Sequence, residues 1–472
     1  NQDELVNNVP GNNLINSLPK RKQGLAGRLS YAYDGKYMAE VNMGYNGSEN
    51  FAKGHRWGFF PSIALGYNIS EESFFEPLRK VITSMKLRGS WGLVGNDQIG
   101  GERFIYMPTI NLSGKGFTTG IDQNYGLSGP VYTRYENNSI TWEVGEKINL
   151  GIDLQLLNSL NIVVDIFRET RRDIFQKKGT IPTYLGTGNT DVFGNLAEMK
   201  NQGLDLSIDY NKAFSKDFYM NFKGTFTYAH NEITKYDEAP KYAFQSKVGQ
   251  SANVSQGYLS NGLFLDEAEI DRYNQQMGST LGAGDIKYLN VSNMHGYGDD
   301  IVDVDDWTWI GNPTVPEIVY GFGPSFKYKN WDFSFFFQGV AKTSLFMSGF
   351  HPFGDNSLRN VLQFVANDRW SPTNQNVDAK YPRLTRKTSL NNTNPGNSGR
   401  TSDYWMRDGS FLKLKNMELG YTFKRMRFYI SGSNLLTFSK FDLWDPEQGG
   451  GSGLKYPTQR VFNVGFQMTF NN

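Results

Sequence analysis

Cysteine is absent from the 472 residues, which excludes a disulfide framework and any thiolate metal site. Long apolar runs are absent too. The greasiest stretches, such as "FSFFFQGVA" at 333–341, are strand-sized and fall well short of the ~18 residues a membrane-spanning helix needs. Charge of one sign is also lacking: Lys plus Arg (48) nearly cancels Asp plus Glu (47), which argues against a nucleic-acid partner and against an acidic solvating tail. Catalytic signatures are missing. The four histidines, His55, His230, His295 and His351, form neither an HExxH motif nor an i, i+4 pair, and no P-loop or G-x-S-x-G elbow occurs. The chain therefore reads as a non-enzyme. It begins at Asn1 without initiator methionine, signal peptide or basic n-region, as expected of a mature product or of numbering that starts inside a longer protein.

Strands that cross a membrane remain open, because an alternating strand averages to a polar hydropathy. Alternation runs through the chain. In "RVFNVGFQMTF" (460–470), Phe462, Val464, Phe466, Met468 and Phe470 share one face while Asn463, Gly465, Gln467 and Thr469 share the other. The same period of two runs through 24–34, 36–47, 85–93, 148–156, 204–210 and 218–228. Many of these segments reach the ~9–11 residues of a tilted membrane strand.

The wiring separates a membrane barrel from a soluble sandwich. Short links at Gly35, "LNS" (157–159), "NKAFSKD" (211–217), "KNW" (329–331) and "FKRM" (423–426) alternate with long ones at about 95–143, 169–200, 233–316, 348–408 and 440–459. All tight turns then lie at one end and all long loops at the other, as in an outer-membrane barrel. The link at 68–82 breaks the pattern and is expected to carry a helical turn. In "FLKLKNMELGYTF" the alternation slips near Asn416, which predicts a β-bulge. This reading yields about 13 strands, all-β and antiparallel. An odd number cannot close an up-and-down barrel, so the chain reads as the C-terminal portion of a larger one.

Nine segments carry a family resemblance in order. They are "FFPSIALGYNISEESFF" (59–75), "MKLRGSWGLVGN" (85–96), "TWEVGEKINLGID" (141–153), "NLAEMKNQGLDLSI" (195–208), "GDIKY" (284–288), "IGNPTVPEIVYGF" (310–322), "YWMRDGSFLKLKNMELGYTF" (404–423), "SGSNLLTFSKFDLWDPE" (431–447) and "LKYPTQRVFNVGFQMTF" (454–470). Together they resemble the SusC/RagA-like TonB-dependent outer-membrane transporters of Bacteroidetes. The resemblance implies a barrel of about 22 strands occluded by a plug, of which this chain would supply the last thirteen, with the plug and the TonB-contacting segment upstream. It implies import of oligosaccharides or oligopeptides under a SusD-like surface lipoprotein, energised through TonB–ExbB–ExbD. One departure concerns assembly: Asn471 and Asn472 follow Phe470, where family chains usually end on the aromatic.

Two sets of residues are candidates for a site. Asp299, Asp300, Asp303, Asp305 and Asp306 in "GDDIVDVDDW" (298–307) crowd carboxylates into one loop, as a Ca²⁺ or Mg²⁺ site requires. The family resemblance implies an EF-hand-like D-x-N-x-D-G-x-I here, but this chain lacks its first Asp and has Asp300 where the glycine would stand. The plainer reading is a solvated acidic loop. The second set is the loop aromatics Trp307, Trp309, Phe350 and Phe353, whose flat rings could stack on sugars. Tyr404, Trp405 and Trp444 lie beside the same links, and of these Trp405 and Trp444, embedded in the family segments, fit better as structural or interfacial residues. Lumen-facing positions mix both charges with Asn, which suits neutral or zwitterionic cargo. A passive porin or barrel-anchored adhesin is the alternative; a soluble propeller would need a blade repeat that the sequence does not show.

Overall fold

The computed structural model describes residues 21–99, 103–182, 190–273, 275–276, 281–350, 353, 360–386, 392 and 401–470. His351, Asn471 and Asn472, named above, lie outside the described residues. One antiparallel sheet of thirteen strands dominates, with its strands in chain order. They are β1 (Lys22–Tyr33), β2 (Tyr37–Ser48), β3 (Trp57–Asn68), β4 (Ile82–Asn96), β5 (Glu143–Leu156), β6 (Leu160–Lys177), β7 (Phe193–Ala213), β8 (Phe218–Lys235), β9 (Ile318–Tyr328), β10 (Trp331–Ala341), β11 (Phe411–Phe423), β12 (Met426–Ser439) and β13 (Val461–Met468). Among the described residues no helix is long and apolar enough to cross a membrane.

The short links are tight because their residues adopt left-handed backbone. Asp34 and Gly35 close β1–β2, and Leu157 and Asn158 close β5–β6, all at positive φ. Such turns match the right-handed twist of the strands they join. The longer link between β3 and β4 is built from two 3₁₀ turns, Ile69–Glu71 and Ser73–Leu78, so the expected helical turn is of the tighter kind. The slip in β11 is a bulge: against β10 the pairing jumps from Leu414 to Asn416, leaving Lys415 as the extra residue, while on the other side Asn434 and Leu435 of β12 drop out of register opposite it. The apolar set moves from Leu412 and Leu414 to Met417, Leu419 and Tyr421, so one face stays apolar along the whole strand.

That face is bare. Leu29 is 73% exposed and Val464 is 88% exposed, and between these edge strands Leu65, Leu150, Ile166 and Ile430 are all exposed as well. So much apolar surface is tenable only against hydrocarbon. Rings gather at the turn end, where Tyr37 stacks on Tyr67 at 5.1 Å, Phe214 on Phe218 at 5.4 Å, and Trp331 meets Tyr421 at 4.7 Å. This is an interfacial girdle. At the other end the apolar belt stops at a polar row, where Arg168, Gln202 and His230 pair across β6, β7 and β8. Beyond that row these strands continue as wall above the bilayer.

The opposite face carries the ions. Arg88 holds Asp153 at 2.8 Å and Asp165 at 3.0 Å, bridging β4, β5 and β6. Its path crosses Gly151, where a Cβ would sit 2.5 Å from Asp165 Oδ1 and 2.8 Å from Arg88 Nη2. A second triad joins Arg427 to Asp332 and to Glu418 (2.6 Å), again across a glycine, Gly420. Both triads lie on the inner wall towards the turn end.

Ile152, in the middle of the belt between Leu87 and Val164, and Asn149 on the inner face give opposite expectations. Ile152→Arg should cost about 2–4 kcal/mol of stability in the bilayer, read as reduced folded fraction in urea titrations of vesicle-embedded protein. Asn149→Arg should leave that fraction within about 0.5 kcal/mol of wild type.

Candidate functional site

Above the belt the long loops form a second structure with its own core. Tyr258, Leu263, Ile286, Tyr288, Leu345 and Met347 pack with Phe350, Phe353, Trp370, Tyr381, Trp405 and Phe441, all buried. Residues from the β8–β9, β10–β11 and β12–β13 loops thus meet in one canopy. Phenols inside it stay protonated: Tyr404 donates to the Ala379 carbonyl at 2.7 Å, and burial drives its pKa strongly upward. Burial likewise pushes the pKa of Tyr381 up to about 12.

The canopy is tied to the wall by a buried lysine. Lys413 is fully buried near the loop end of β11, with Nζ 2.5 Å from Asp445 Oδ2 and 2.8 Å from Glu447 Oε2. The bulged Lys415 adds a contact to Glu447 at 2.7 Å. Trp444, in the same loop, donates from Nε1 to the Gly449 carbonyl at 2.9 Å and packs edge-on against Phe441. Burial pushes the carboxyls of Asp445 and Glu447 up, but hydrogen bonds from Lys413, joined at Glu447 by Lys415, outweigh it. Both therefore titrate below the usual carboxylate range.

The candidate residues fall in different places. Phe350 and Phe353 are 3% and 1% exposed and lie against Trp405 at 6.4 and 5.2 Å. They are members of the canopy core and present no free ring face. Trp309 is held by its Nε1 donating to the Ser246 carbonyl at 2.8 Å. Trp307 remains partly exposed, edge-on to Tyr258 at 6.0 Å. The five aspartates do not gather around a point either. Asp303 accepts from the Asp305 N–H at 2.8 Å, and Asp305 pairs with Lys241. Asp306, fully buried, accepts from the N–H groups of Ser292 and Asp303. Asp299 accepts from Asn290, Ser292 and the Ile301 N–H, and Asp300 is exposed. Among the described residues no three carboxylate or imidazole groups are placed to hold a metal. The carboxylates instead cap the backbone of an irregular loop.

A polar feature on the inner wall was missed from sequence. Lys147, Glu169, Asn201 and Asn231 stand opposite one another across β5, β6, β7 and β8. Glu169 takes Arg171 at 3.0 Å, and Asn231 Oδ1 accepts from Ser251 Oγ at 3.0 Å and from the Ala252 N–H at 2.9 Å. With Asn253 and the buried Glu317, the row's Glu169, Asn201 and Asn231 line an open recess of about 320 Å³. Glu317 is itself held by His230 Nδ1 at 2.5 Å and Lys342 at 3.4 Å. Extending the inner parity of β6–β8 upward past the apolar belt would have found the row.

An apolar outer face, a charged and amide-rich inner face, tight turns at one end and a packed canopy at the other define the wall of an outer-membrane β-barrel with a hydrated lumen. The model of the family described as "TonB dependent receptor-like, beta-barrel" matches residues 1–435, and the chain belongs to that family. It is 27% identical to TonB-dependent receptor P3 of Formosa agariphila over 94% of this chain and 45% of that protein. It is 28% identical to TonB-dependent receptor SusC of Bacteroides thetaiotaomicron over 94% of this chain and 43% of that protein. Among solved structures, the RagAB peptide transporter superposes with a TM-score of 0.69 at 20% identity, covering 95% of this chain and 48% of that one. The chain therefore spans a little under half the length of these relatives.

The Lys413 clamp gives the loop a defined acid response. Because the two carboxyl pKa values are depressed in the folded state, their contribution is complete above the unfolded values of ~4 and is lost as pH falls through the lower folded ones. Protease resistance of 440–459 should hold from pH 7 to about 5 and decline only in stronger acid. Lys413→Met should cost about 2–3 kcal/mol, towards the low side for a broken buried pair because both carboxylates keep some solvent. It should also speed nicking of that loop at pH 7.

Proposed function

We propose that this chain forms wall and outer canopy of an active importer of oligosaccharides, or of oligopeptides, that works under a SusD-like surface lipoprotein and is energised by TonB through segments outside this sequence. The observation that carries the reading is the inner row Lys147–Glu169–Asn201–Asn231 with its recess, placed where the wall rises above the bilayer beneath packed loops. Paired charges and amides offer donors and acceptors without strong net charge. That suits hydroxyl-rich or amide-rich cargo better than phosphate or sulfate. The chemistry is gated binding and release with no covalent step. SusC and the RagAB peptide transporter, by name, fit this assignment.

A passive porin formed by this chain alone is disfavoured by the sheet edges. Among the described residues β1 pairs only with β2 and β13 only with β12. Backbone N–H and C=O groups left open along two strands have no partners in hydrocarbon. Since β1 and β13 run in the same direction, an odd number of further strands is needed to join them.

The test is uptake by cells carrying the full-length protein, using labelled oligosaccharides and oligopeptides above the porin size limit. Uptake should stop when a protonophore collapses the proton-motive force, and should fall at least tenfold when Glu169, Asn201 and Asn231 are replaced together by Ala at unchanged membrane abundance. Protonophore-insensitive uptake would instead identify a passive pore.

A further inference from the structure

We propose that the side-chain amide of Asn290 takes the place of a divalent cation in the 290–306 loop, so that this segment is ordered without metal. The oxygen pattern is that of a calcium loop. Its ligand offsets 1, 3, 5, 7, 9 and 12 are filled by Asn290, Ser292, Asp299, the Ile301 carbonyl, Asp303 and Asp306, with 294–298 looped out between the second and third. At the first offset stands an amide instead of a carboxylate, and the hydrogen bonds fix its orientation.

Asn290 Oδ1 caps the short helix Val291–Met294, accepting from the Asn293 N–H at 2.8 Å and from Ser292 Oγ at 3.0 Å. A backbone N–H needs an oxygen there, so the amide nitrogen must face the other way. It points at the oxygens that would ligate a cation: the Asp299 carbonyl at 2.9 Å, Asp299 Oδ1 at 3.1 Å and the Ile301 carbonyl at 3.3 Å. Two N–H hydrogens thus occupy the centre where positive charge would sit. A cation entering would meet these donors and would have to displace them, and the cap on Asn293 opposes turning the amide over. The remaining oxygens are already engaged. Asp306 takes the N–H groups of Ser292 (2.9 Å) and Asp303 (2.8 Å), and Asp299 Oδ2 takes Ser292 Oγ at 3.2 Å. Apart from the five looped-out residues and Asp300 in the glycine's place, the departure from a working site is at the first offset, where a carboxylate would keep the cap with one oxygen and present the other to the metal.

The experiment uses the full-length protein in detergent, with calcium chloride and EGTA as the only additions, and reads protease half-life of the loop and calcium stoichiometry by native mass spectrometry. The wild type should show no bound calcium and the same half-life in both buffers. Asn290→Asp should bind one calcium and lengthen the half-life at least tenfold in calcium, reversed by EGTA. Recovery of N290D only from calcium-containing buffer meets the same expectation. Should N290D accumulate in neither buffer, the wild-type calcium stoichiometry and its half-life in calcium against EGTA decide the proposal on their own. Stoichiometric calcium on the wild type, a wild-type half-life shortened by EGTA, or a folded variant indifferent to calcium would each overturn the proposal.

Discussion

Everything in this chain follows from one requirement: in hydrocarbon, a backbone N–H or C=O has no partner but another strand. The requirement forces an unbroken ladder through thirteen strands, and a ladder forces side chains to alternate between lipid and lumen. Departures from regularity are therefore confined and compensated. The extra Lys415 in β11 would turn every later side chain to the wrong face had the apolar residues not shifted parity with it. The bulge also places two lysines beside Glu447.

The lumen wall obeys a second constraint, that each charge placed on it must meet one of opposite sign. Each arginine triad spans three strands, and the strand position between the ions is a glycine whose Cβ would collide with them. Such pairs, partly open to water, add only modest stability. Their clearer effect is to fix which strands neighbour which, each arginine holding two carboxylates.

Much of this was legible in the sequence, because period-two alternation and the parity of link lengths are local signals. Strand number, the β11 bulge and the special link after β3 could be read that way. The site could not. Phe350 and Phe353 look like stacking platforms in a long loop, but these loops are large enough to fold against one another, and their rings close a shared core with Trp405 and Tyr381. Sequence gives the rings and not the tertiary partner that covers them. The inner row was hidden for the opposite reason. Glu169, Asn201 and Asn231 are unremarkable alone and meet only through the register of three strands.

The acidic loop shows how an atom's role turns on its neighbour. Counting carboxylates in "GDDIVDVDDW" registers charge but not hydrogen-bond direction. Asp303 and Asp306 are consumed by backbone N–H groups, and Asp305 answers Lys241. What remains are the Asp299 and Ile301 oxygens, which repel one another unless something positive or a donor sits among them. A cation would make the canopy's order depend on the calcium around the cell; an amide makes it constant. The cap on Asn293 selects the amide's orientation, and the orientation supplies the donors. The loop's order then needs nothing beyond the chain itself, and the same holds for the Lys413 clamp on the canopy's other side.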